Sequence, residues 1–281
     1  MVMALAFDHS GSFTRVATKR KTKVSVGFEW EIPAEIAEEC CNCCSGYCDC
    51  DECDCYCSCG EEEEAETNTE TNNFIDSHGF RTHCECGGLE FASPVFGNIG
   101  TARRVASALK EVALQDRALG EDANPDHCCG IHVHASHVNL HDYPSTKETY
   151  WRVVSMLNRK SSANFVMEFS GRKDGNPSYL HQAKSIGWDT AGVVKPSDVN
   201  QCDMGTHQMV RQNGFGSSNT IEYRLWHTSA DRLLPAIDFA HACTTFIMTR
   251  KDIPYLKDFK AWLDKQTGYK ILKQDNAWRL L

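Results

Sequence analysis

The stretch Lys23-Val-Ser-Val-Gly-Phe-Glu-Trp-Glu-Ile32 decides the expected fold, because apolar and polar residues alternate along it. A period of two places the apolar side chains on one face of a β-strand and the polar ones on the other. The polar face carries Glu29 and Glu31. The apolar face consists of Val24, Val26, Phe28, Trp30 and Ile32. We therefore predict a strand that packs one face on a core and presents acids on the other.

Three further segments show the same alternation. They are Gly87-Gly-Leu-Glu-Phe-Ala-Ser-Pro-Val95, Cys129-Gly-Ile-His-Val-His-Ala-Ser136 and Asn219-Thr-Ile-Glu-Tyr-Arg-Leu-Trp-His227. Their polar members are acids, histidines and one arginine: Glu90, His132, His134, Glu222 and Arg224. If the four strands belong to one sheet, their apolar faces pack on helices and their polar faces meet in one cavity.

Helices are expected between the strands, where apolar residues recur at intervals of three and four. The pattern predicts helices at 101–119 and 231–248, and a third that opens at a capping box in 144–148 and runs to about 169. Residues 170–218 are expected to be rich in loops, and 255–281 to form one or two short helices. The expected fold class is α+β, with an antiparallel sheet backed by helices.

The composition fits a folded chain, with 281 residues of which 41% are hydrophobic and 24% charged. No run of 18 apolar residues predicts a transmembrane helix, and no membrane partner is expected. The segment 1–7 is too short for the apolar core of a signal peptide, so we expect a cytoplasmic protein. We expect residues 1–22 to be a flexible leader and 23–281 to be a single domain.

The net charge of −9 arises in one segment. Between Glu35 and Glu70 there are 13 acidic residues and no lysine or arginine, and the rest of the chain carries 29 basic and 25 acidic residues. General nucleic-acid binding is not expected, because no strong basic stripe is present. A mildly basic body can nevertheless hold a compact polyanion such as a nucleotide.

A cysteine-rich insertion is predicted at about 38–75, and ten of the 16 cysteines lie between Cys40 and Cys59. Structural zinc sites use four thiolate or imidazole ligands, commonly in C-x₂₋₄-C pairs. The candidate Zn²⁺ ligands are Cys40, Cys43, Cys48, Cys50, Cys53, Cys55, Cys57 and Cys59. A thiol-rich loop without a fixed metal is the alternative, whereas the cytoplasm disfavours disulfides.

Carboxylates that lie close together on the polar faces need their negative charge compensated, because like charges and burial both raise carboxyl pKa values. Either some of these groups are protonated, or cations fill the cavity. Oxygen-rich ligand sets favour Mg²⁺ or Mn²⁺, and one or two imidazoles do not exclude these ions. The carboxylates concerned are Glu29, Glu31, Glu90 and Glu222, and the imidazoles beside them are His132 and His134.

The four strand motifs, taken in this order, resemble those of the amidoligase family. That family is a bacterial and phage branch of the glutamine synthetase and glutamate–cysteine ligase superfamily, and the resemblance spans about 23–245. It implies a curved antiparallel sheet of the glutamine synthetase-like catalytic type. It also implies an enzyme that uses ATP and Mg²⁺ to join a small-molecule or peptide carboxylate to an amine, through an acyl phosphate.

The resemblance also implies roles for the metal ligands. Glu29 and Glu31 look like ligands of two separate ions, and Glu90 looks like a further carboxylate ligand. His132 and Glu222 resemble the ligands of the ion that bridges the phosphates of ATP.

The remaining candidate residues resemble groups that handle phosphate and protons. His134 resembles a phosphate contact, and Arg224 resembles the arginine that grips the substrate carboxylate or the transferred phosphoryl group. Arg172 occupies the region where relatives place another phosphate-binding arginine. Glu85 is the candidate for an acid that relatives carry before the Glu90 strand, and for the base that deprotonates the amine.

Two other functions fit parts of the sequence. A zinc-dependent hydrolase would use His132 and His134 with a metal-bound water as nucleophile. The dominance of carboxylates argues against it, because zinc favours nitrogen and sulfur donors. A metal-binding protein centred on the cysteine-rich insertion would leave the four patterned strands without a function. The oligomeric state is not encoded in any of these patterns.

Overall fold

The computed structural model describes residues 23–33, 67–85, 88–116, 129–171, 210–213 and 219–281. The predicted leader, Arg172 and the predicted insertion up to residue 66 lie outside the described residues. All ten clustered cysteines belong to that outside part, so their metal content stays a prediction.

The described residues form a six-stranded antiparallel sheet, which is one layer of the structure. The strands are β1 (Val24–Pro33), β2 (Arg81–Glu85), β3 (Gly88–Ala92), β4 (Gly130–His137), β5 (Val210–Asn213) and β6 (Thr220–His227). Their order in the sheet is β2–β3–β1–β4–β6–β5. The four predicted strands are confirmed as β1, β3, β4 and β6. They are neighbours in the sheet, so their polar faces are continuous.

Helices form the second layer, which confirms the predicted combination of an antiparallel sheet with helices. The helices are α1 (Thr69–His78), α2 (Ile99–Gln115), α3 (Tyr143–Leu157), α4 (Ala163–Ser170), α5 (Ala230–Met248), α6 (Leu256–Asp264) and α7 (Lys270–Gln274). Short 3-10 turns occupy Lys160–Ser162 and Asn276–Leu280. Helix α5 packs against β4, α2 and β1, behind the centre of the sheet. In the described part of the chain, every helix is too short or too polar to span a bilayer.

The apolar face of β1 lies entirely in the core. All five apolar side chains predicted for this strand are buried on the helix-packed face. The Nε1 atom of Trp30 donates to the carbonyl oxygen of Thr228 (2.8 Å), and the Thr228 hydroxyl donates to the carbonyl oxygen of Glu31. These two bonds tie the end of β6 to β1, which keeps the acidic half of β1 in place.

One predicted helix is wrong, because the segment from 144 to about 169 is divided into α3 and α4. Helix α3 ends at its C-cap Asn158, and a 3-10 turn precedes α4. The capping box also differs from the prediction, since Asp142 is the N-cap and accepts from the N–H of Ser145 (2.8 Å). Pro144 then falls in the first turn, where its missing N–H costs nothing.

Three elements were not predicted: α1, β2 and β5. Helix α1 occupies the last part of the predicted insertion, from Thr69 onward, and buries Ile75 against the core. Strand β2 lies at the edge of the sheet and exposes Arg81 and Thr82, so it lacks the apolar alternation that identifies a half-buried strand.

Candidate active site

The position of β1 between β3 and β4 gives its acidic face a neighbour on both sides. Glu29 is paired with His132 of β4, and Glu31 is paired with Glu90 of β3. Directly paired residues of antiparallel strands have Cβ atoms about 4.5–5.5 Å apart. The acids and the first histidine are therefore adjacent on one face.

Strand β6 adds a fourth carboxylate to this face. Glu222 is paired with His134 of β4, and the pairing of these two strands is irregular between Ile131 and Val133. A bulge of this kind re-aims the neighbouring side chain, and His132 lies inside it. His132 is thereby directed toward carboxylates of both β1 and β6.

Short distances connect the side chains of the cluster. His132 Nδ1 donates to Glu29 Oε2 (3.1 Å), and His134 Nε2 donates to Glu29 Oε1 (3.0 Å). His132 Nδ1 also lies 3.5 Å from Glu31 Oε1 and 3.9 Å from Glu222 Oε1. One imidazole thus lies within 4 Å of three carboxylates.

Two of the carboxylates have further partners that orient them. The N–H of Gly130 donates to Glu31 Oε2 (2.6 Å), and the Arg224 guanidinium donates to Glu222 Oε1. The side chain of Arg224 is 21% exposed, whereas that of Glu222 is 3% exposed. Arg224 therefore extends from the buried acids toward solvent.

The electrostatics of the cluster keep two acids ionised in spite of burial. Burial raises the pKa of Glu29, but the charge of His134 and the hydrogen bonds from His132 and His134 outweigh it and hold the pKa well below its usual range. Burial also opposes ionisation of Glu222, but Arg224 and His134 lower its pKa to about 2.

The same carboxylates act on His134. Burial lowers the pKa of this imidazole, but the negative charges of Glu29 and Glu222 outweigh burial, so the pKa is raised above its ordinary value. A raised histidine pKa reports a negative potential at this position. The cluster therefore attracts positive charge.

Two groups of side chains have the spacing required to hold a metal ion. Glu29, Glu90 and His132 form one group, and Glu29, His134 and Glu222 form the other; in each, the ligand atoms lie within 4.8 Å of one another. Glu29 is common to both groups. Two carboxylates and one imidazole fit Mg²⁺ or Mn²⁺. The grouping adds His134 to the metal ligands, whereas the resemblance implies a phosphate contact for it.

The other candidate residues differ in how far the structure describes them. Glu85 ends β2 and pairs with Gly88, and its side chain is outside the description. Two groups at the site were not predicted: the N–H of Gly130 and the hydroxyl of Thr228, which hold Glu31 by its side chain and its backbone. Backbone donors and loop hydroxyls leave no signal in a residue pattern.

Comparisons with known proteins find matches among solved structures alone. No protein-family model matches the chain, and no curated protein matches it significantly. Among solved structures, one named "Apo GmaS without ligand" is similar to it, with 13% sequence identity and a TM-score of 0.43. The similarity covers 92% of this chain and 64% of that one, so this chain spans less than two thirds of its length. A likeness of this degree carries no argument about function.

Proposed function

We propose that this protein is an ATP-dependent ligase that joins a carboxylate to an amine through an acyl phosphate. One observation carries the proposal: Glu29 lies between His132 and His134 on a buried polar face that also holds three further carboxylates. Such a cluster is suited to binding divalent cations together with the phosphates that they accompany.

The residues that would hold the cations are those of the two groups sharing Glu29. Bound Mg²⁺ or Mn²⁺ would supply positive charge for the phosphate oxygens of ATP and for the charge that develops during transfer. The chain itself fixes the ligand positions, because β1, β3, β4 and β6 are hydrogen-bonded neighbours. The buried carboxylates also need no protonation to remain in place, since His134 and Arg224 hold two of them ionised.

The proposed reaction has two steps. A carboxylate oxygen of the substrate attacks the γ-phosphorus of ATP, which forms an acyl phosphate and releases ADP. The amine then attacks the acyl carbon, phosphate leaves, and the nitrogen loses one proton as the amide forms. Positioning and charge neutralisation accelerate the first step more than any protein nucleophile would.

Arg224 is assigned to the first step of the proposed reaction and Glu85 to the second. Arg224 would donate to the substrate carboxylate or to the transferred phosphoryl group, and Glu222 would hold its guanidinium in position. Glu85 is the proposed acceptor of the amine proton. Arg172 is a proposed second phosphate-binding arginine.

The donor set favours this function over a zinc hydrolase. Each metal group contains two carboxylates and one imidazole, and carboxylates suit hard cations better than they suit zinc. No specific observation favours a protein centred on the cysteine-rich insertion.

The test is incubation of the full chain with ATP, Mg²⁺ and a panel of carboxylic acids, with hydroxylamine as the acceptor. Hydroxylamine converts an acyl phosphate into a hydroxamate, so hydroxamate and ADP should form in equal amounts and only when an acid is present. Glu222→Gln should lose the product, whereas Glu111→Gln, on the exposed side of α2, should retain it. ATP cleavage without hydroxamate, or zinc-dependent hydrolysis without ATP, would contradict the proposal.

A further inference from the structure

The end of helix α3 carries three buried polar side chains that the proposed ligase does not use. They are Ser155, Asn158 and Arg159, which are 1%, 1% and 9% exposed. The N–H of Asn158 donates to the carbonyl oxygen of Val154, and that of Ser162 to the carbonyl oxygen of Arg159 (both 2.8 Å), so the backbone stays coiled through this segment. Residues three and four positions apart lie on one side of such a coil, so the three side chains are neighbours.

This segment lies in the helix layer, away from the candidate active site. Helix α3 packs against β5, β6 and α5, and its apolar side chains Val153, Val154 and Leu157 belong to the core. The carboxylate cluster lies on the opposite face of the sheet. The polar groups at the end of α3 therefore need a reason other than the proposed reaction.

Four buried polar atoms of these side chains have no hydrogen-bond partner among the residues that the structure describes. They are Oγ of Ser155, Oδ1 and Nδ2 of Asn158, and Nε of Arg159. Buried polar atoms are nearly always paired, because an unpaired one loses its bonds to water without replacement. Several of them side by side indicate that a water, an ion or a ligand supplies the partners.

The charge of Arg159 also lacks a counter-ion in the described ranges. No carboxylate there pairs with its guanidinium, and no carbonyl group at the end of α3 accepts a hydrogen bond from it. The guanidinium carbon lies 3.8 Å from the centre of the Tyr255 ring, so the cation is stacked on an aromatic face. An arginine keeps its proton inside a protein, and a ring face compensates only part of a buried charge. A negative group is therefore needed at this position.

The unpaired atoms define the chemistry of the partner. A guanidinium offers five N–H groups, the Asn158 amide two and the Ser155 hydroxyl one, so donors outnumber acceptors and the local charge is positive. Carboxylate and phosphate oxygens match this set, because a guanidinium binds two of them at once. Ser155 and Asn158 are almost fully enclosed, which suits a small anion better than a nucleotide or a peptide.

We propose that Ser155, Asn158 and Arg159 form a binding site for a small oxyanion, either phosphate or a carboxylate. Tyr255 is 46% exposed and shields Arg159 from solvent, so rotation of its ring admits the ion. The Lys257 ammonium lies 5.3 Å from the centre of the same ring and adds positive charge at this entrance. Because Tyr255 is the N-cap of α6, the bound ion joins the end of α3 to the start of α6. The proposal is independent of the ligase function.

The test measures thermal unfolding of the full chain in a buffer free of divalent cations. Phosphate, sulfate and acetate are each compared with chloride at equal ionic strength. A specific site predicts that one class of oxyanion raises Tm beyond chloride, as mass action requires. Isothermal titration calorimetry with the same salts gives Kd. A response to phosphate and sulfate identifies a tetrahedral anion, and a response to acetate alone identifies a carboxylate.

Variants locate the bound ion. Arg159→Met keeps the length of the side chain without its charge and should weaken binding of the preferred anion about 10- to 100-fold. Arg104→Met, at an exposed position of α2, is the matched control and should bind as wild type. Arg159→Lys keeps the charge without the planar fork and should bind with intermediate affinity. Asn158→Leu should also weaken binding, and it tests the site if Arg159→Met does not fold.

Three results would overturn the proposal. Equal stabilisation of wild type by chloride and by every oxyanion would show that water fills the site. Unchanged binding in Arg159→Met would show that this guanidinium has no anionic partner. Loss of the response in Arg224→Gln, with Arg159→Met unaffected, would place the anion beside the carboxylate cluster instead.

Discussion

Glu29 accepts one hydrogen bond from His132 and a second from His134, each through a different carboxylate oxygen. The two histidines are separated by two positions on β4, so they lie on the same face of that strand, and Glu29 pairs directly with the first of them. A single carboxylate thereby joins both candidate metal groups. Its removal should affect every function of the cluster at once.

The substitution Glu29→Gln is expected to lower the rate of acid-dependent ADP formation by at least about 100-fold, because it removes a charged ligand from both groups. The fold should persist, since the core on the opposite face of β1 is unchanged. Steady-state kinetics and circular dichroism measure the two effects. The matched variant Glu111→Gln should behave as wild type, and a wild-type rate in Glu29→Gln would exclude the assigned role.

The number of bound Mn²⁺ ions should distinguish the two groups. Wild type is expected to bind two ions, and Glu90→Gln is expected to lose one of them, because Glu90 belongs to only one group. Glu29→Gln should weaken both. Titration followed by the Mn²⁺ paramagnetic resonance signal counts free and bound ions directly. Two ions retained by both variants would show that the cluster is not the metal site.

The core behind the sheet should be most sensitive at Phe239. Its ring contacts those of Phe165, Phe169, Tyr223, Trp226 and Phe259. Phe239→Ala should lower the free energy of unfolding by about 3–5 kcal/mol, through lost burial and the cavity that is left. Leu114→Ala, at a side chain that is 44% exposed, should change it by less than about 0.5 kcal/mol. Urea denaturation measures both, and equal effects would contradict the packing of this region.

Stability should fall as the pH decreases below neutrality, because of His241. Burial, and then the positive charge of Arg103, lower the pKa of His241 to about 4, and its Nδ1 atom lies 2.7 Å from the Tyr269 hydroxyl oxygen. The unfolded chain takes up a proton on His241 near pH 6.5, and the folded chain only near pH 4. The contribution of neutral His241 to the free energy of unfolding is therefore complete above pH 6.5 and is lost as the pH falls from 6.5 to 4.

Over this pH range, protonation of His241 is expected to lower the free energy of unfolding by about 3 kcal/mol. Urea denaturation of wild type and His241→Gln at pH 7.5 and pH 4.5 isolates it, because other titrating groups contribute equally to both proteins. The difference in stability between the two pH values should be smaller in the variant. An identical pH dependence would show that folding does not lower the pKa of His241.

The cysteine-rich insertion is expected to retain zinc in stoichiometric amounts after dialysis, if its thiolates form tetrahedral sites. Elemental analysis of the purified protein gives the content. Replacement of Cys53 and Cys55 by serine should lower it. A metal-free protein would leave the thiol-rich loop without a fixed ion as the correct interpretation.

The local patterns of the sequence determined which residues lie on the polar face. Glu29 and Glu31 alternate with buried apolar residues, and so do His132 and His134, because side chains of a strand alternate whatever its neighbours are. Helix α5 was predictable for a similar reason, since its spacing and its early proline are local signals. The break between α3 and α4 was not, because no glycine or proline marks it.

The tertiary structure alone decided which strands are neighbours. Glu29 meets two histidines because β4 pairs with β1 across about a hundred intervening residues, and Glu222 joins them because β6 pairs with β4. The sequence carries no local record of that order, since pairing depends on contacts between distant segments. Strand β2 was not predicted for the same reason, since an edge strand buries little apolar surface. Only its hydrogen bonds to β3 show that Arg81 and His83 share a face with the acids.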